Sequence, residues 1–240
     1  MNPNSIPESV KQAVRLDDRS LALFVQSGSR AYGLEIETSD DDYLGVFVTP
    51  LTKFVSINGP GPDTLAGNGP DFTLHEIGKF CRLALKGNPA ILETMWNPNV
   101  LMCDEWGREL ISIRSKSLHR GSLKVYIEYA QAQLKKMVKG TGLHSKGGSY
   151  NGKFGAHLVR LLNAGIHLAE SGEVQVRVPP ALAATLMEIR TARRSMQDVM
   201  EISRPLLEKL KRLSEANPLP EHPDEEAFND LVIRARLSRK

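Results

Sequence analysis

Apolar runs alternate with polar segments in the first half of the chain. Residues 21–26 (LALFVQ) and 43–48 (YLGVFV) are short, almost uninterrupted apolar runs, which predict two buried strands. Residues 71–74 and 100–103 predict two further short strands. Apolar residues at helical spacing predict helices over residues 76–85 and 90–96.

The pattern becomes almost entirely helical after about residue 113. Helices are predicted over residues 123–138, 154–171, 181–215 and 225–237, with one strand-like stretch at 174–178. Earlier in the chain, residues 58–70 hold four Gly and three Pro in thirteen positions, which predicts a mobile loop without regular structure. The sequence therefore predicts an α+β fold, with a small mixed-sheet domain over residues 1–113 and a mainly helical domain over 114–240.

Composition places the chain among ordinary folded proteins. It has 240 residues, of which 41% are hydrophobic and 25% are charged, and this excludes collagen-like and wholly disordered classes. No apolar run approaches a membrane span and the first residues do not resemble a signal peptide, so we expect a cytoplasmic protein with no membrane partner. The two cysteines, Cys81 and Cys103, are too few for a disulfide framework or a zinc site.

Positive charge is concentrated in one region. The formal net charge is only +3, but between Arg114 and Arg160 ten Lys or Arg accompany a single acid, Glu128. Part of this charge surrounds a Gly-rich turn, at Lys135, Lys136, Lys139 and Lys146. Such a segment suits a polyanionic partner such as RNA, and a solvated lysine-rich face is the alternative.

The segment between the first two predicted strands combines a small-residue bend with carboxylates. Gly28 and Ser29 follow the first strand, and Asp40, Asp41 and Asp42 lead into the second. Because alternate side chains of an extended chain share a face, Asp40 and Asp42 are predicted to point together. Paired carboxylates suit a divalent cation, and a Gly-Ser bend at a helix start suits a phosphate. Taken singly, an ordinary turn and a solvated acidic loop are the alternatives.

These motifs resemble the signature of the DNA polymerase β-like nucleotidyltransferase superfamily. The fuller strings at residues 28–33 (GSRAYG) and 39–47 (SDDDYLGVF) are similar to the RlaP, or YcgL-type, predicted nucleotidyltransferases, whose name stands for RNA-ligase-associated polymerase-β-like. The resemblance covers roughly residues 22–240. Its later segments are Lys79-Phe80, Lys86-Gly87-Asn88-Pro89, Leu92-Glu93, Tyr150-Asn151-Gly152-Lys153, His157 and Arg160-Leu161-Leu162.

The resemblance implies a polymerase β-like palm domain that uses two Mg²⁺ ions, with Mn²⁺ as an alternative. A hydroxyl would attack the α-phosphate of an NTP, ATP being favoured, and pyrophosphate would leave. Asp40 and Asp42 would be the shared metal ligands. For the third catalytic carboxylate Asp71 is preferred, ahead of Glu76 and then Asp63. The alternative is that Asp71 only caps the following helix or turn.

The resemblance also implies cationic residues that bind the nucleotide together with Gly28 and Ser29. Arg30 either contacts the triphosphate or braces the acidic loop by pairing with Asp41. Lys153, His157 and Arg160 recur at i, i+4 and i+7 of a predicted helix and form one polar stripe. That stripe is either the wet side of the helix or a phosphate-binding surface with which the helical domain closes the nucleotide cleft.

The expected activity is therefore transfer of an NMP to an acceptor hydroxyl, with an RNA or other nucleic-acid end as the leading acceptor. A nucleotidyltransferase that modifies a protein or small molecule, as in toxin and antitoxin systems, is one alternative. A non-catalytic nucleotide or RNA sensor is the other, and the intact carboxylates disfavour it.

Overall fold

A five-stranded mixed sheet forms the centre of the first half of the protein. The structure is a computed structural model that describes residues 6–15, 19–139 and 150–238. The strands lie in the order β3-β4-β2-β1-β5, and only the β2–β4 pair is parallel. The predicted α+β class with a small mixed sheet is confirmed. The strands are β1 (Ser20–Gln26), β2 (Asp42–Val48), β3 (Thr64–Asn68), β4 (Asp71–Glu76) and β5 (Val100–Cys103).

Strand β1 is apolar throughout its centre because both of its faces are covered. Leu23, Phe24 and Val25 have no exposed surface, although successive side chains of a strand point to opposite faces. On one face Phe24 joins a core cluster with Phe47 of β2 and residues of β4 and of helix α1 (Glu8–Arg15). A strand buried on both faces gives a continuous apolar run rather than an alternating one.

Short helices connect the strands. The helix predicted over residues 76–85 is present as Ile77–Leu85. The Glu76 carboxylate caps its first turn by accepting a hydrogen bond from the Gly78 N–H (2.7 Å). The remaining part of the sheet-containing half is completed by helices and one 3₁₀ turn. They are α2 (Gly28–Tyr32), α3 (Leu51–Phe54), α4 (Ile77–Leu85), α5 (Pro89–Met95), α6 (Glu105–Ser112) and the 3₁₀ turn Arg114–Ser117.

The second half is a bundle of long helices. Helix α8 (Gly152–Ser171) packs against α7 (Arg120–Lys139) and α10 (Met196–Glu215), and α9 (Pro180–Arg190) lies beside it. A Cβ atom at Gly165 of α8 would come within 2.8 Å of a Leu210 methyl group, so this glycine allows close approach of α10.

Three sequence predictions about elements are wrong. Residues 64–68, predicted as irregular loop, form β3, because an edge strand has to pair on one side only and tolerates Gly67 there. Residues 174–178 form no strand. The single helix predicted over 181–215 is two helices, and a capping box between Ser195 and Asp198 begins the second.

The chain divides into two compact units that differ from a simple split at residue 113. The first unit comprises Met1–Lys86, Ala90–Ser117 and Pro223–Lys240, and the second comprises Gly87–Pro89 and Leu118–His222. The last helix, α11 (Glu225–Ser238), was predicted within the second domain but packs with α4 and α6 of the first unit. Among the described residues, the search for helices able to cross a lipid bilayer finds none.

Candidate functional site

A cleft opens in the first unit where β1 ends and where β2 and β4 begin. Its volume is about 380 Å³, within the range of small-molecule sites. Strand β1 delivers Ser27 and Gly28 to the cleft, and the antiparallel β2 starts beside them with Asp42. Strand β4 starts with Asp71 at the same edge because it runs parallel to β2. The cleft therefore collects the bend and two of the predicted carboxylates.

Gly28 and Asp42 are in direct contact. Gly28 has a φ of +65°, a conformation that favours glycine, and a Cβ atom built on it would overlap the Asp42 carboxylate. The Ser27 N–H also donates to the Asp42 carbonyl oxygen (2.7 Å). The structure therefore brings the predicted small-residue bend against one of the predicted carboxylates, Asp42.

Asp71 is the register partner of Asp42. In the parallel ladder the two residues stand opposite each other, so their side chains share one face of the sheet on strands about 4.8 Å apart. Asp71 is exposed and begins a strand, so the alternative that it only caps a helix is wrong. Among the described residues, no hydrogen bond or ion pair engages its carboxylate.

The other two candidates for the third carboxylate are engaged elsewhere. Glu76, at the far end of β4, is buried and forms a two-point ion pair with Arg236 (2.7 and 3.1 Å). Asp63 pairs with Lys79, whose ammonium lies 2.9 Å from Asp63 Oδ1 and, by this hydrogen bond, holds the pKa of Asp63 below its usual range. Of the three, Asp71 alone lines the cleft.

Asp40 does not join this pair. The strand begins only at Asp42, so the alternation that predicted Asp40 and Asp42 on one face does not extend to Asp40. Asp40 is exposed and is not among the residues that line the cleft. Within residues 6–15, 19–139 and 150–238, no group of three His, Cys, Asp or Glu side chains is placed to hold a metal ion. The oxygen ligands that fit Mg²⁺ in the cleft are those of Asp42 and Asp71.

Arg30 braces the acidic loop. Its Nε lies 2.6 Å from Asp41 Oδ1, and its Nη2 donates to the Ser39 carbonyl oxygen (3.2 Å). Gln26 also donates to Asp41 Oδ1 (3.1 Å). The structure thus places Arg30 as the bracing alternative requires, and its contact with a triphosphate stays a prediction. Ser29 lies on α2 and is not among the residues that line the cleft, although its neighbours Ser27 and Gly28 are.

A second layer of side chains positions the bend, and the sequence analysis missed it. Tyr32 of α2 donates its hydroxyl hydrogen to the buried Glu93 carboxylate (2.9 Å). Asn97, after α5, donates to the Gln26 carbonyl oxygen (2.8 Å), and the Gln26 N–H donates to the Asn99 carbonyl (3.0 Å). The sequence offered one signal for this interaction, because Glu93 belongs to the segment Leu92-Glu93, which resembles the family.

Tyr43 borders the cleft as a neutral group. Its ring stacks on Phe24 with 5.1 Å between centroids. Burial, with a smaller contribution from the Asp41 charge, raises the pKa of the Tyr43 phenol. The hydroxyl therefore stays protonated at neutral pH.

The predicted cationic stripe on α8 is not a continuous charged surface. Lys153 is exposed, but Arg160 is only 4% exposed and packs beside residues 175–179. Burial, assisted by Arg160 and Lys136, lowers the pKa of His157 to about 3, so its ring is neutral at neutral pH. All three belong to the second unit, and their role in phosphate binding stays a prediction. Lys146 and the Gly-rich turn lie outside the described residues.

Comparisons with known proteins agree with the motif resemblance. The family model described as RlaP, RNA repair pathway DNA polymerase beta family, matches residues 4–234. A search of curated proteins gives no significant match. Among solved structures, the chain is similar to a nucleotidyltransferase-like protein from Exiguobacterium sibiricum, with 12% identity over 97% of this chain and 75% of that one. The TM-score is 0.31.

Proposed function

The chain belongs to the RlaP family, the RNA repair pathway DNA polymerase beta family, and from this membership we propose that it transfers an NMP from an NTP to the terminal hydroxyl of an RNA. The acceptor oxygen forms a bond to the α-phosphorus while the bond to the bridging oxygen of pyrophosphate breaks. The acceptor loses its proton, and pyrophosphate leaves with the electron pair of the broken bond. The nucleotide is expected to be ATP.

One observation carries this proposal. Asp42 packs against Gly28 on one side and is in register with Asp71 on the other, and all three line one open cleft. The two carboxylates and the small-residue bend are therefore held within one or two strand spacings of each other. Nucleotidyl transfer requires such an arrangement, because phosphate oxygens and the attacking hydroxyl must meet at one place.

The residues of the cleft have separable roles in this proposal. Gly28 lacks a side chain and so leaves room for the Asp42 carboxylate, and its own part in phosphate binding stays a prediction. Asp42 and Asp71 would supply oxygen ligands for Mg²⁺ or Mn²⁺, whereas Asp40 lies outside the cleft lining and its part as a ligand stays a prediction. When bound, the ions would neutralise phosphate charge and make the attacking hydroxyl more acidic. Asp71, on the strand next to Asp42, is the carboxylate that we expect to orient this hydroxyl.

The test presents each α-labelled NTP to the protein with Mg²⁺ or Mn²⁺ and a mixture of RNA, DNA and protein. We expect label in RNA, most strongly from ATP. Asp42→Asn and Asp71→Asn are expected to lower transfer at least about 100-fold, because even the loss of an outer-shell partner of a metal site costs 10–100-fold. Both substitutions are at or near the surface, so the fold is expected to persist.

Asp63→Asn is the matched control. It removes a carboxylate of the same type from the same hairpin region, but that carboxylate pairs with Lys79 and lies outside the cleft. Asp63→Asn is expected to retain transfer. Undiminished transfer in the Asp42→Asn/Asp71→Asn double variant would place the chemistry elsewhere, and label found only in protein would replace RNA by a protein acceptor.

A further inference from the structure

The cleft has a charged end and a neutral end. The only charged side chains among its lining residues, all of which are described, are Asp42 and Asp71. The lining includes no Lys, Arg or His, so no cationic side chain in the cleft can neutralise a phosphate. On the β3–β4 side of the cleft, the lining includes two uncharged polar side chains beside Asp71, those of Asn68 and Thr73. This end therefore suits an uncharged, hydroxyl-bearing part of a substrate.

Asn68 and Thr73 stand on the same face of the sheet as Asp71. Asn68 of β3 is the register partner of Asp71 across the β3–β4 hairpin, and Thr73 follows Asp71 by two residues on β4. Within the described part of the chain, neither side chain is engaged in a hydrogen bond or ion pair. An amide and a hydroxyl thus stand beside the carboxylate, each able both to donate and to accept.

Sheet order places these two residues and Gly28 on opposite sides of the carboxylates. The order β3-β4-β2-β1 puts the hairpin on the opposite side of the carboxylates from Gly28, which follows β1. In an in-line displacement the attacking and leaving oxygens lie on opposite sides of the phosphorus. If the leaving pyrophosphate lies toward Gly28, the attacking hydroxyl comes from the side of Asn68 and Thr73.

We propose that Asn68 and Thr73 form an acceptor subsite that binds the terminal ribose of an RNA through its neighbouring 2′- and 3′-hydroxyls. The inference rests on the proposed function, because it assigns the acceptor side of the same cleft. Two adjacent hydroxyls can each donate and accept hydrogen bonds, and the amide and hydroxyl of these side chains can do the same. A 2′-deoxy end leaves one of these polar groups without its partner, so the subsite distinguishes RNA from DNA ends.

The first test measures binding without transfer. A fluorescein-labelled RNA oligonucleotide with a ribose 3′ end, and the same oligonucleotide with a 2′-deoxy 3′ end, are titrated in EDTA and followed by anisotropy. We expect the native protein to bind the ribose end several-fold more tightly. The Asn68→Ala/Thr73→Val double variant is expected to bind both ends equally, at the affinity of the deoxy end.

The second test separates the acceptor from the nucleotide in transfer assays. The double variant is expected to raise the KM for the RNA acceptor about 10-fold and to leave the KM for the NTP unchanged. The matched control is Asn58→Ala/Thr52→Val, which changes the same residue types at exposed positions outside the cleft, and it should behave as the native protein.

Either of two outcomes would overturn the assignment: a raised KM for the NTP alone, or an unchanged ribose preference in the double variant. Failure of the proposed function is distinguishable from both. In that case the native protein transfers no label to any acceptor, whereas the anisotropy comparison still reports whether Asn68 and Thr73 recognise a ribose end.

Discussion

Gly28 combines two constraints in one residue. Its φ of +65° is unfavourable for any residue with a side chain, and a Cβ atom there would overlap the Asp42 carboxylate. Gly28→Ala is therefore expected to cost about 1–2 kcal/mol in the free energy of unfolding. Transfer activity should fall much further than this loss of stability explains, because Asp42 has to turn away. Urea denaturation and labelled-NTP assays measure the two effects.

Gly59 provides the control for that substitution. Its φ is +67°, but no atom lies within 4 Å of a Cβ built there. Gly59→Ala should therefore show a similar loss of stability without a loss of transfer. Equal losses of activity in the two variants would contradict a specific contact between Gly28 and Asp42.

His157 makes the stability of the protein depend on pH. Burial, with the nearby charges of Arg160 and Lys136, lowers the pKa of His157 to about 3, well below its ordinary value of about 6.5. The unfolded chain therefore binds a proton between these two pH values that the folded chain does not. The resulting stability is fully present above pH 6.5 and is lost as the pH falls toward 3, by about 2 kcal/mol at pH 5.

The measurement compares urea denaturation at pH 7 and pH 5 for the native protein and for His157→Gln. The glutamine variant cannot take up this proton, so its free energy of unfolding should change less between the two pH values. Identical changes in both proteins would show that His157 is readily protonated in the folded state.

Residues of the candidate site differ in how far sequence could predict them. The contact of Gly28 with Asp42 follows from strand order alone, because both stand at the ends of neighbouring strands. The pairing of Arg30 with Asp41 (2.6 Å) was one of two stated alternatives, since a guanidinium suits a carboxylate and a phosphate equally. The burial of Arg160 could not be predicted, because helical spacing shows which residues share a face but not whether that face meets solvent.

At the scale of elements, β1 could be predicted from its own residues, whereas β3 depends on tertiary pairing that the sequence pattern does not show. Strand β1 and helix α8 were predictable because each carries a long apolar signal that tertiary packing then satisfies. Strand β3 carries Gly67 and lies in a Gly- and Pro-rich stretch, and it exists through its pairing with β4. Residues 174–178 show the converse, since apolar alternation without an available partner strand does not produce a strand.

A partly buried ion pair helps to hold helix α11 in the first unit. Arg236 binds both oxygens of Glu76, whose side chain is 5% exposed, and its guanidinium lies 4.1 Å from the Phe54 ring centroid. Arg236→Ala leaves the Glu76 charge buried without its cation. We expect it to lower the free energy of unfolding by about 3 kcal/mol, measured by urea denaturation.

A neighbouring arginine of the same helix is the control. Arg234 pairs with Glu109 and Asp230, but its side chain is 43% exposed, so Arg234→Ala should cost far less than Arg236→Ala. The Glu76→Gln/Arg236→Met double variant removes both charges and should recover part of the stability lost in the single variant. A smaller effect of Arg236→Ala than of Arg234→Ala would contradict the role of the buried pair.

At the scale of the whole molecule, charge is divided between the two units. The second unit holds sixteen Lys and Arg against nine Asp and Glu, a net charge of +7. The first unit holds fifteen against nineteen, a net charge of −4. We therefore expect a polyanion such as RNA to be attracted mainly to the helical unit, whereas the acidic unit carries the candidate site.

One exposed stripe of α7 is where we expect this attraction. Lys124, Lys135 and Lys139 recur on one side of the helix, and no described side chain forms an ion pair with them. Replacing all three by Gln should weaken RNA binding regardless of sequence. The slope of log affinity against log salt should decrease by about 2, since each contact with a single-strand phosphate contributes about 0.7. Filter binding at several salt concentrations measures the slope.

Two lysines on α10 test whether position or total charge matters. Lys209 pairs with Glu170 (2.6 Å) and Lys211 with Glu208 (3.0 Å), so their charges are already compensated locally. Replacing them by Gln should leave the salt slope nearly unchanged. An equal decrease in both variants would assign the effect to net charge alone.

Strand β4 connects the candidate site to helix α11. It begins with Asp71 in the cleft and ends with Glu76, which Arg236 of α11 holds in place. A growing chain on the ribosome has synthesised both carboxylates long before Arg236 emerges. The chain must therefore be synthesised through α11 before this strand is anchored at both ends, and nascent chains that stop short of α11 would carry the candidate site without this support.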